Sequence, residues 1–312
     1  MAFKYFLANL PFEFITDFCA AVNKKLKLRP SSSPFLAGDT YRKLADFLYD
    51  DTYLCSAEEI NCFKKSKVDS SRAHPLVFVS SWKLEGFAKN VLSKISVPFV
   101  LITHQGDVNI KTDFHKSILA NKNLLHWFAQ NCELTGKKIT PLPIGLEDRW
   151  RHNAGAVSDF KKSKYKNNPK ESKILFGFSI CTNPESRTPC FLALSKNPNA
   201  QQIYRAPSAH LYRRKLSMYK FVASPAGNGL DCHRTWEAIY LGVVPIVENN
   251  AMNKSFKKLG LPMILIDKEK WSELSKWTPE IMEKKFAAEW EKADLSSMWI
   301  DFWQKEFDKY LK

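Results

Sequence analysis

Residues 220–247 constrain this chain more than any other stretch. They read Lys-Phe-Val-Ala-Ser-Pro-Ala-Gly-Asn-Gly-Leu-Asp-Cys-His-Arg-Thr-Trp-Glu-Ala-Ile-Tyr-Leu-Gly-Val-Val-Pro-Ile-Val. The short apolar run Phe221–Ala223 predicts a buried strand, and Gly227 and Gly229 a tight turn. Asp231 stands where a helix N-cap would, Thr235–Leu241 is the helix, Gly242 ends it, and Val243–Val247 is a second buried strand. A β–loop–α–β unit of this kind aims a glycine-rich loop at a helix N-terminus. Free N–H groups and partial positive charge there favour anions, phosphates above all. Arg234 adds a fixed cation, and Glu237 follows three residues later on the same helical face. A cation for a diphosphate and a carboxylate for ribose hydroxyls suit a nucleotide-diphosphate site. A plainer reading stands beside this one: glycines that serve only sterics, and an Arg/Glu pair that is a surface ion pair. The Gly-x-Gly spacing also lacks the third glycine of the dinucleotide fingerprint.

The chain of 312 residues is long enough for two domains, and its 45% hydrophobic and 13% aromatic content supports sizeable cores. The net charge of +15 fits nucleic acid, an anionic membrane surface or anionic small substrates. No RNA-recognition, zinc-knuckle or helix-turn-helix pattern is present, which argues against nucleic acid as the partner. The densest basic run (Lys161, Lys162, Lys164, Lys166, Lys170 and Lys173) mixes with Asn and Pro and reads as a solvated linker. Seven cysteines, none in Cys-x-x-Cys spacing, favour a reducing, cytoplasmic compartment over a disulfide framework or structural zinc. The most apolar N-terminal stretch, Phe3–Val22, is broken by Asn9, Glu13 and Asp17, so it predicts neither a membrane span nor a signal peptide. An amphipathic helix there, followed by Lys24, Lys25, Lys27 and Arg29, allows peripheral membrane contact; a core-packed element is the competing expectation.

The chain alternates strand and helix signals. In the first half, Leu76–Val79 and Val97–Thr103 read as strands, Leu124–Cys132 as a helix with Trp127 and Phe128 buried, and Ile139–Ile144 as a short extended piece. Residues 151–172 are polar and lysine-rich, the linker. Then Ile174–Ile180 reads as a strand, Leu211–Tyr219 as a helix and Pro262–Ile266 as a last strand. Positions 299, 302, 303, 307 and 310 carry aromatics at helical spacing, so the C-terminus is a helix with one buried face. The expected architecture is α/β: residues 1–155 form one Rossmann-like domain with a parallel sheet, 170–285 a second, and 286–312 a C-terminal helix packing back. Ligands of such sheets bind beyond the carboxyl ends of the strands, which points both the glycine loop and the His104–Asp107 loop at one cleft.

The run Lys220-Phe-Val-Ala-Ser-Pro-x-Gly-x-Gly-x-Asp-x-x-Arg-x-x-Glu-Ala, continuing to Gly242-x-x-Pro-Ile-Val, resembles the signature of exostosin-like glycosyltransferases, glycosyltransferase family 47. Leu261-Pro-Met-Ile-Leu-Ile-Asp-x-x-x-Trp271-Ser-Glu-Leu is similar to the segment that follows it there. Gly38-Asp39-x-Tyr-Arg42, Thr103-His104-x-Gly106-Asp107 and Pro143-Ile-Gly-Leu146 resemble family patterns in the first half. The resemblance implies a GT-B fold of two Rossmann-like domains and inverting transfer from a nucleotide-sugar, UDP being the expected carrier, to an oligosaccharide or glycoprotein. Carried onto this chain, it implies that Arg234 neutralises the donor diphosphate, Glu237 binds the ribose, and Gly227 and Gly229 admit the phosphates. Ser224 belongs to the same donor stretch. Asn183 and Arg187, after the strand Ile174–Ile180, suit a second phosphate contact. Animal exostosins carry a membrane anchor and stem that this sequence does not show, so a soluble or membrane-peripheral enzyme is expected.

An inverting transfer needs a base for the acceptor hydroxyl and positive charge for the departing diphosphate. No Asp-x-Asp occurs, so arginines in place of a metal are expected, with no cofactor. Asp107, after a buried strand and a glycine, is the expected base and His104 the alternative. The competing readings are a helix N-cap for Asp107 and a structural hydrogen bonder for His104. Asp39 and Arg42 are expected on the acceptor side, with an N-cap role equally open for Asp39. A basic nucleic-acid-binding protein, or a binding module without a base, would explain parts of the same pattern.

Overall fold

A computed structural model describes residues 18, 21–22, 25–26, 28–63, 72–151, 155–161, 165, 168–204 and 208–312. Most of Phe3–Val22 therefore lies outside the described residues, as do Lys24 and Lys27 of the basic stretch and several of the linker lysines. Among the described residues no helix is long and apolar enough to cross a membrane.

Among the described residues, ten strands form two sheets of five, every pairing between them parallel. The first holds β1 (Phe47–Tyr49), β2 (Leu76–Ser80), β3 (Phe99–His104), β4 (Leu124–Ala129) and β5 (Ile139–Pro141) in the order β1-β2-β3-β4-β5. The second holds β6 (Glu171–Phe176), β7 (Ala200–Gln202), β8 (Tyr219–Ala223), β9 (Val244–Glu248) and β10 (Ile264–Ile266) in the order β10-β9-β8-β6-β7. The strands of a parallel sheet are covered on both faces, so they read as continuous apolar runs. Leu124–Ala129 shows the consequence. The sequence predicts a helix there; the chain instead runs as a central strand, with Leu101 beside Trp127 and Ile102 beside Phe128. A short apolar run carries no period that separates the two, and pairing with β3 decides.

A sequential strand order with right-handed crossovers places the connecting helices on one face. Val77, Val79, Leu101 and Trp127 pack there with Ile60, Phe87 and Ile118. The opposite face, carrying Phe78, Ile102 and Phe128, is left for another element. The C-terminal helix Ile300–Leu311 covers it with Trp303, Phe307 and Leu311. Each such side chain contributes about 2 kcal/mol on burial. The Leu311 carbonyl also accepts from the backbone N–H groups of Ala73 (2.7 Å) and His74 (3.1 Å). The helical spacing read from the sequence holds, and its target is the first sheet. The preceding helix Pro279–Glu291 packs instead on the second, with Met282, Phe286 and Trp290 against Phe221 and Trp277.

The segment expected as a solvated linker is partly structural. Phe160 and Asp159 are buried in a short helix, Ser158–Lys161. The Lys170 ammonium donates to the carbonyls of Ser217 (2.7 Å) and Leu241 (3.0 Å), and burial pushes its pKa down to about 8.

Candidate active site

The carboxyl ends of both sheets meet. The backbone N–H of Asp231 donates to Asn131 Oδ1 (2.9 Å), the N–H of Ile144 to Asp231 Oδ2 (2.8 Å), and His233 Nδ1 lies 2.8 Å from the Gly145 carbonyl. Between the sheets is a cavity of about 700 Å³, lined by strand-exit loops of both. Asp231 is not the N-cap expected of it. The helix begins at His233 behind Cys232, and the Asp231 carboxylate accepts from the Cys232 N–H (2.8 Å), Trp236 Nε1 (2.9 Å) and Ile144. Burial pushes its pKa up to about 6 against the pull of those bonds. It is a clasp between the halves.

The second sheet reverses its winding between β6 and β8, and a crevice opens at such a switch point. Gly177 leaves β6 and Gly227–Gly229 follow β8, and all four residues line the cavity. Arg187 and Arg234 both reach this crevice. Arg187 is held by two carbonyls, Nε to Ala226 (2.9 Å) and Nη1 to Ser179 (2.8 Å). The rings and guanidinia are close: Arg187 lies 5.6 Å and Arg234 5.7 Å from the centroid of Phe178. Arg234 Nη2 donates to the Gly177 carbonyl (3.2 Å). Its Nη1 is buried with no acceptor in good geometry, and so is the hydroxyl of Tyr212, which lies beside Arg234 and lines the same cavity. Buried donors without acceptors are costly, by about 1–3 kcal/mol each, and mark a place for a ligand. Glu237 lines the cavity too, and its Oε1 accepts from Arg213 Nε (2.9 Å). Its ion-pair partner is thus Arg213, not Arg234.

The two glycines have steric reasons that the sequence reading only half anticipates. A Cβ on Gly227 would sit 2.8 Å from Arg187 Nη2, and one on Gly229 would sit 2.4 Å from Asn131 Nδ2. Gly227 makes room for the guanidinium, Gly229 for the other half of the molecule.

Other expected donor residues serve the scaffold. Asn183 caps the helix Pro184–Ser195, accepting from the Ser186 N–H (3.2 Å) and donating to the Gly227 carbonyl (3.0 Å). The Ser224 hydroxyl is buried against that of Thr235 (2.9 Å). Neither lines the cavity.

In the first half, Asp107 lines the cavity at the exit of β3. His104 lines it as well, but both ring nitrogens are engaged. Nδ1 accepts from the Gln105 N–H (2.8 Å), which leaves Nε2 to donate to the Pro143 carbonyl (3.1 Å). Burial pushes its pKa down to about 3, so it stays neutral with no lone pair for a proton, and the expectation of His104 as a base fails. Asp39 is buried in the first turn of the helix Gly38–Arg42, whose cap is Ala37, so it is not an N-cap either. Arg42 binds Asp50 (2.5 Å) and Thr52 (2.6 Å), stiffening the loop after β1 and standing back from the cavity.

Sequence reasoning missed a cluster around Asp148. Its Oδ1 accepts from the Asp39 N–H (2.7 Å) and its Oδ2 from Gln105 Nε2 (2.7 Å), which also donates to Asp39 Oδ1 (2.9 Å). Arg29 pairs with Asp39 at 2.8 Å and stacks on Trp150 at 4.8 Å. Burial, then the charge of Asp39, push Asp148 up to about 7. Strand exits other than those of β3 and β8 carry site residues too. Those of β1, β2 and β5 lead to Asp50, Trp82, Glu147 and Asp148, all on the cavity wall.

Residues 152–312 match a family model described as the RXYLT1 C-terminal domain. No curated protein matches the chain. Among solved structures, an α,α-trehalose-phosphate synthase (UDP-forming) from Burkholderia vietnamiensis superposes with a TM-score of 0.44 at 8% identity, covering 81% of this chain and 79% of that one. WaaG, a glycosyltransferase involved in lipopolysaccharide biosynthesis, superposes with a TM-score of 0.37 at 11% identity, covering 85% and 98%.

Proposed function

The chain belongs to the RXYLT1 C-terminal domain family of exostosin-like glycosyltransferases, and on that premise we propose that it is a GT-B enzyme that transfers a sugar from a UDP-sugar to a glycan hydroxyl with inversion. The observation that carries the reading is the pair of guanidinia, Arg187 and Arg234, on the cavity wall at the β6/β8 switch point. Two guanidinia in a crevice suit a diphosphate, which offers several acceptor oxygens. Glu237 accepts ribose hydroxyls across the same crevice.

Asp107 takes the acceptor proton. The acceptor oxygen attacks the anomeric carbon, the bond from that carbon to the diphosphate oxygen breaks, and the electron pair leaves with the diphosphate. Arg187 and Arg234 meet the charge that develops there, a role a divalent ion plays in other transferases. Chelation of divalent metals is therefore expected to leave turnover unchanged.

The test is a thermal-shift screen with UDP and other nucleoside diphosphates. UDP raises the melting temperature most, and Arg234→Ala removes that shift. A wild-type protein indifferent to every nucleotide would overturn the reading.

A further inference from the structure

We propose that Trp82 is the platform on which an uncharged sugar ring of the acceptor stacks, beside the base. This rests on the reading of the site given above and assigns its acceptor half. Trp82 stands in a 3-10 turn, Ser81–Lys83, at the exit of β2, and its residue surface is 66% exposed. An indole held open to water forgoes a large burial gain, and at the mouth of a cavity it marks a surface kept free for a ligand. It is also fixed in place. Gly106 leaves a gap that the indole fills: a Cβ there would lie 3.1 Å from both Trp82 Cδ1 and Nε1, and 2.9 Å from Ser81 Cβ. The residue after Gly106 is Asp107. A pyranose face laid on the indole therefore brings a ring hydroxyl towards the Asp107 carboxylate.

The charge around the indole sets the class of sugar. Asp50, Asp51 and Asp107 line the same part of the wall, in a chain whose net charge is +15. Asp50 is neutralised by Arg42 and Asp51 by Lys83 (3.2 Å), while Asp107 has no ion pair among the described residues. The cations on this side, Lys83, Arg29 and Arg151, are each paired with a carboxylate (Asp51, Asp39 and Glu147), so an acceptor bearing a carboxylate or phosphate here meets the Asp107 carboxylate without a cation of its own. A neutral saccharide meets none of that repulsion, and its hydroxyls donate to the carboxylates. The cavity-wall arginines without a carboxylate ion pair among the described residues, Arg187 and Arg234, lie in the opposite half, at the β6/β8 crevice, whereas Arg29 and Arg151 on this side are held by Asp39 and Glu147.

The experiment measures saturation-transfer NMR of methyl glucoside, galactoside and xyloside, and of methyl glucuronoside, against the UDP-loaded full chain. At least one neutral glycoside binds, and the glucuronoside binds more weakly. Trp82→Ala weakens the neutral probe about 10-fold and Trp82→Phe by less, with the UDP thermal shift unchanged in both. Trp82→Ala binding the neutral probe as the wild type does, stronger binding of the glucuronoside, or no binding of any neutral glycoside to the wild type would each overturn the proposal. Loss of the UDP shift in the wild type, with glycosides still bound, would sink the donor reading and leave this one standing.

Discussion

The two sheets share a construction and differ in strand order. The first winds in one direction, β1 to β5; the second reverses between β6 and β8. That difference sorts the cavity. The reversal opens a crevice between strands, and both arginines stand in it, one with a donor still unmatched. The unreversed sheet offers a rim on which the carboxylates Asp50, Asp51, Asp107, Glu147 and Asp148 outnumber the arginines Arg29 and Arg151, beside the open indole of Trp82. Parallel sheets aim all their exit loops the same way, so two of them face to face produce a cation-lined crevice opposite an acid-lined rim. A reaction joining an anionic donor to a neutral acceptor needs that division.

The sharpest way to break this contrast is Asp107→Asn. It should lower turnover about 1,000-fold while UDP binding stays within about twofold, checked by donor-consumption rates and calorimetry. Near wild-type turnover would show that the rim does not supply the base. On the opposite wall, Arg187→Lys replaces a fork held by two carbonyls with a point charge, and UDP affinity should fall about 10-fold, measured by calorimetry on the folded variant. Equal loss in UDP binding from both variants would erase the division.

The seam gives the next prediction. Gly229→Ala puts a Cβ 2.4 Å from Asn131, which already accepts from the Asp231 N–H, so the halves must part or Asn131 must turn. The chain should lose about 1–3 kcal/mol of stability by denaturant titration. No loss would mean that the halves adjust freely and the seam holds little.

The smallest effect is one of pH. Asp148 carries a native pKa raised to about 7 from 3.8. A raised carboxyl binds its proton more tightly folded than unfolded, so its contribution is full below about pH 4 and is lost as pH rises through about 7. Asp148→Asn lacks that loss. The wild-type melting temperature minus that of the variant should fall by a few degrees between pH 4 and 7. His104, lowered to about 3, contributes stability above about pH 6.5 that is lost as pH falls, but it does so in both chains and cancels. A difference that rises with pH would refute the buried, proton-holding state of Asp148.

Much of the second sheet was legible because its signals are local. Phe221–Ala223 lies in a strand, and Gly242, at φ +73°, closes the following helix in a backbone region that glycine enters without strain. The aromatic spacing of the C-terminal helix was readable for the same reason. At the site, Arg187, Arg234, Glu237, Gly227, Gly229 and Asp107 were found on the cavity wall, each at a strand exit or on the helix behind one. Asn183 and Ser224 stand off the cavity wall, because polar residues near a glycine loop satisfy backbone and hydroxyl groups as readily as ligands.

The sequence by itself determined where the chain turns, which runs are apolar enough to be buried, and which loop carries the paired glycines and the arginine after them. Those are properties of neighbours a few residues apart. Tertiary structure alone decided that Leu124–Ala129 is a strand, that Arg213 is the partner of Glu237, that Asp231 clasps the two halves, and that Trp82 stands beside Asp107. Each depends on a partner far along the chain, and no local pattern encodes which distant strand or side chain will lie within hydrogen-bonding reach.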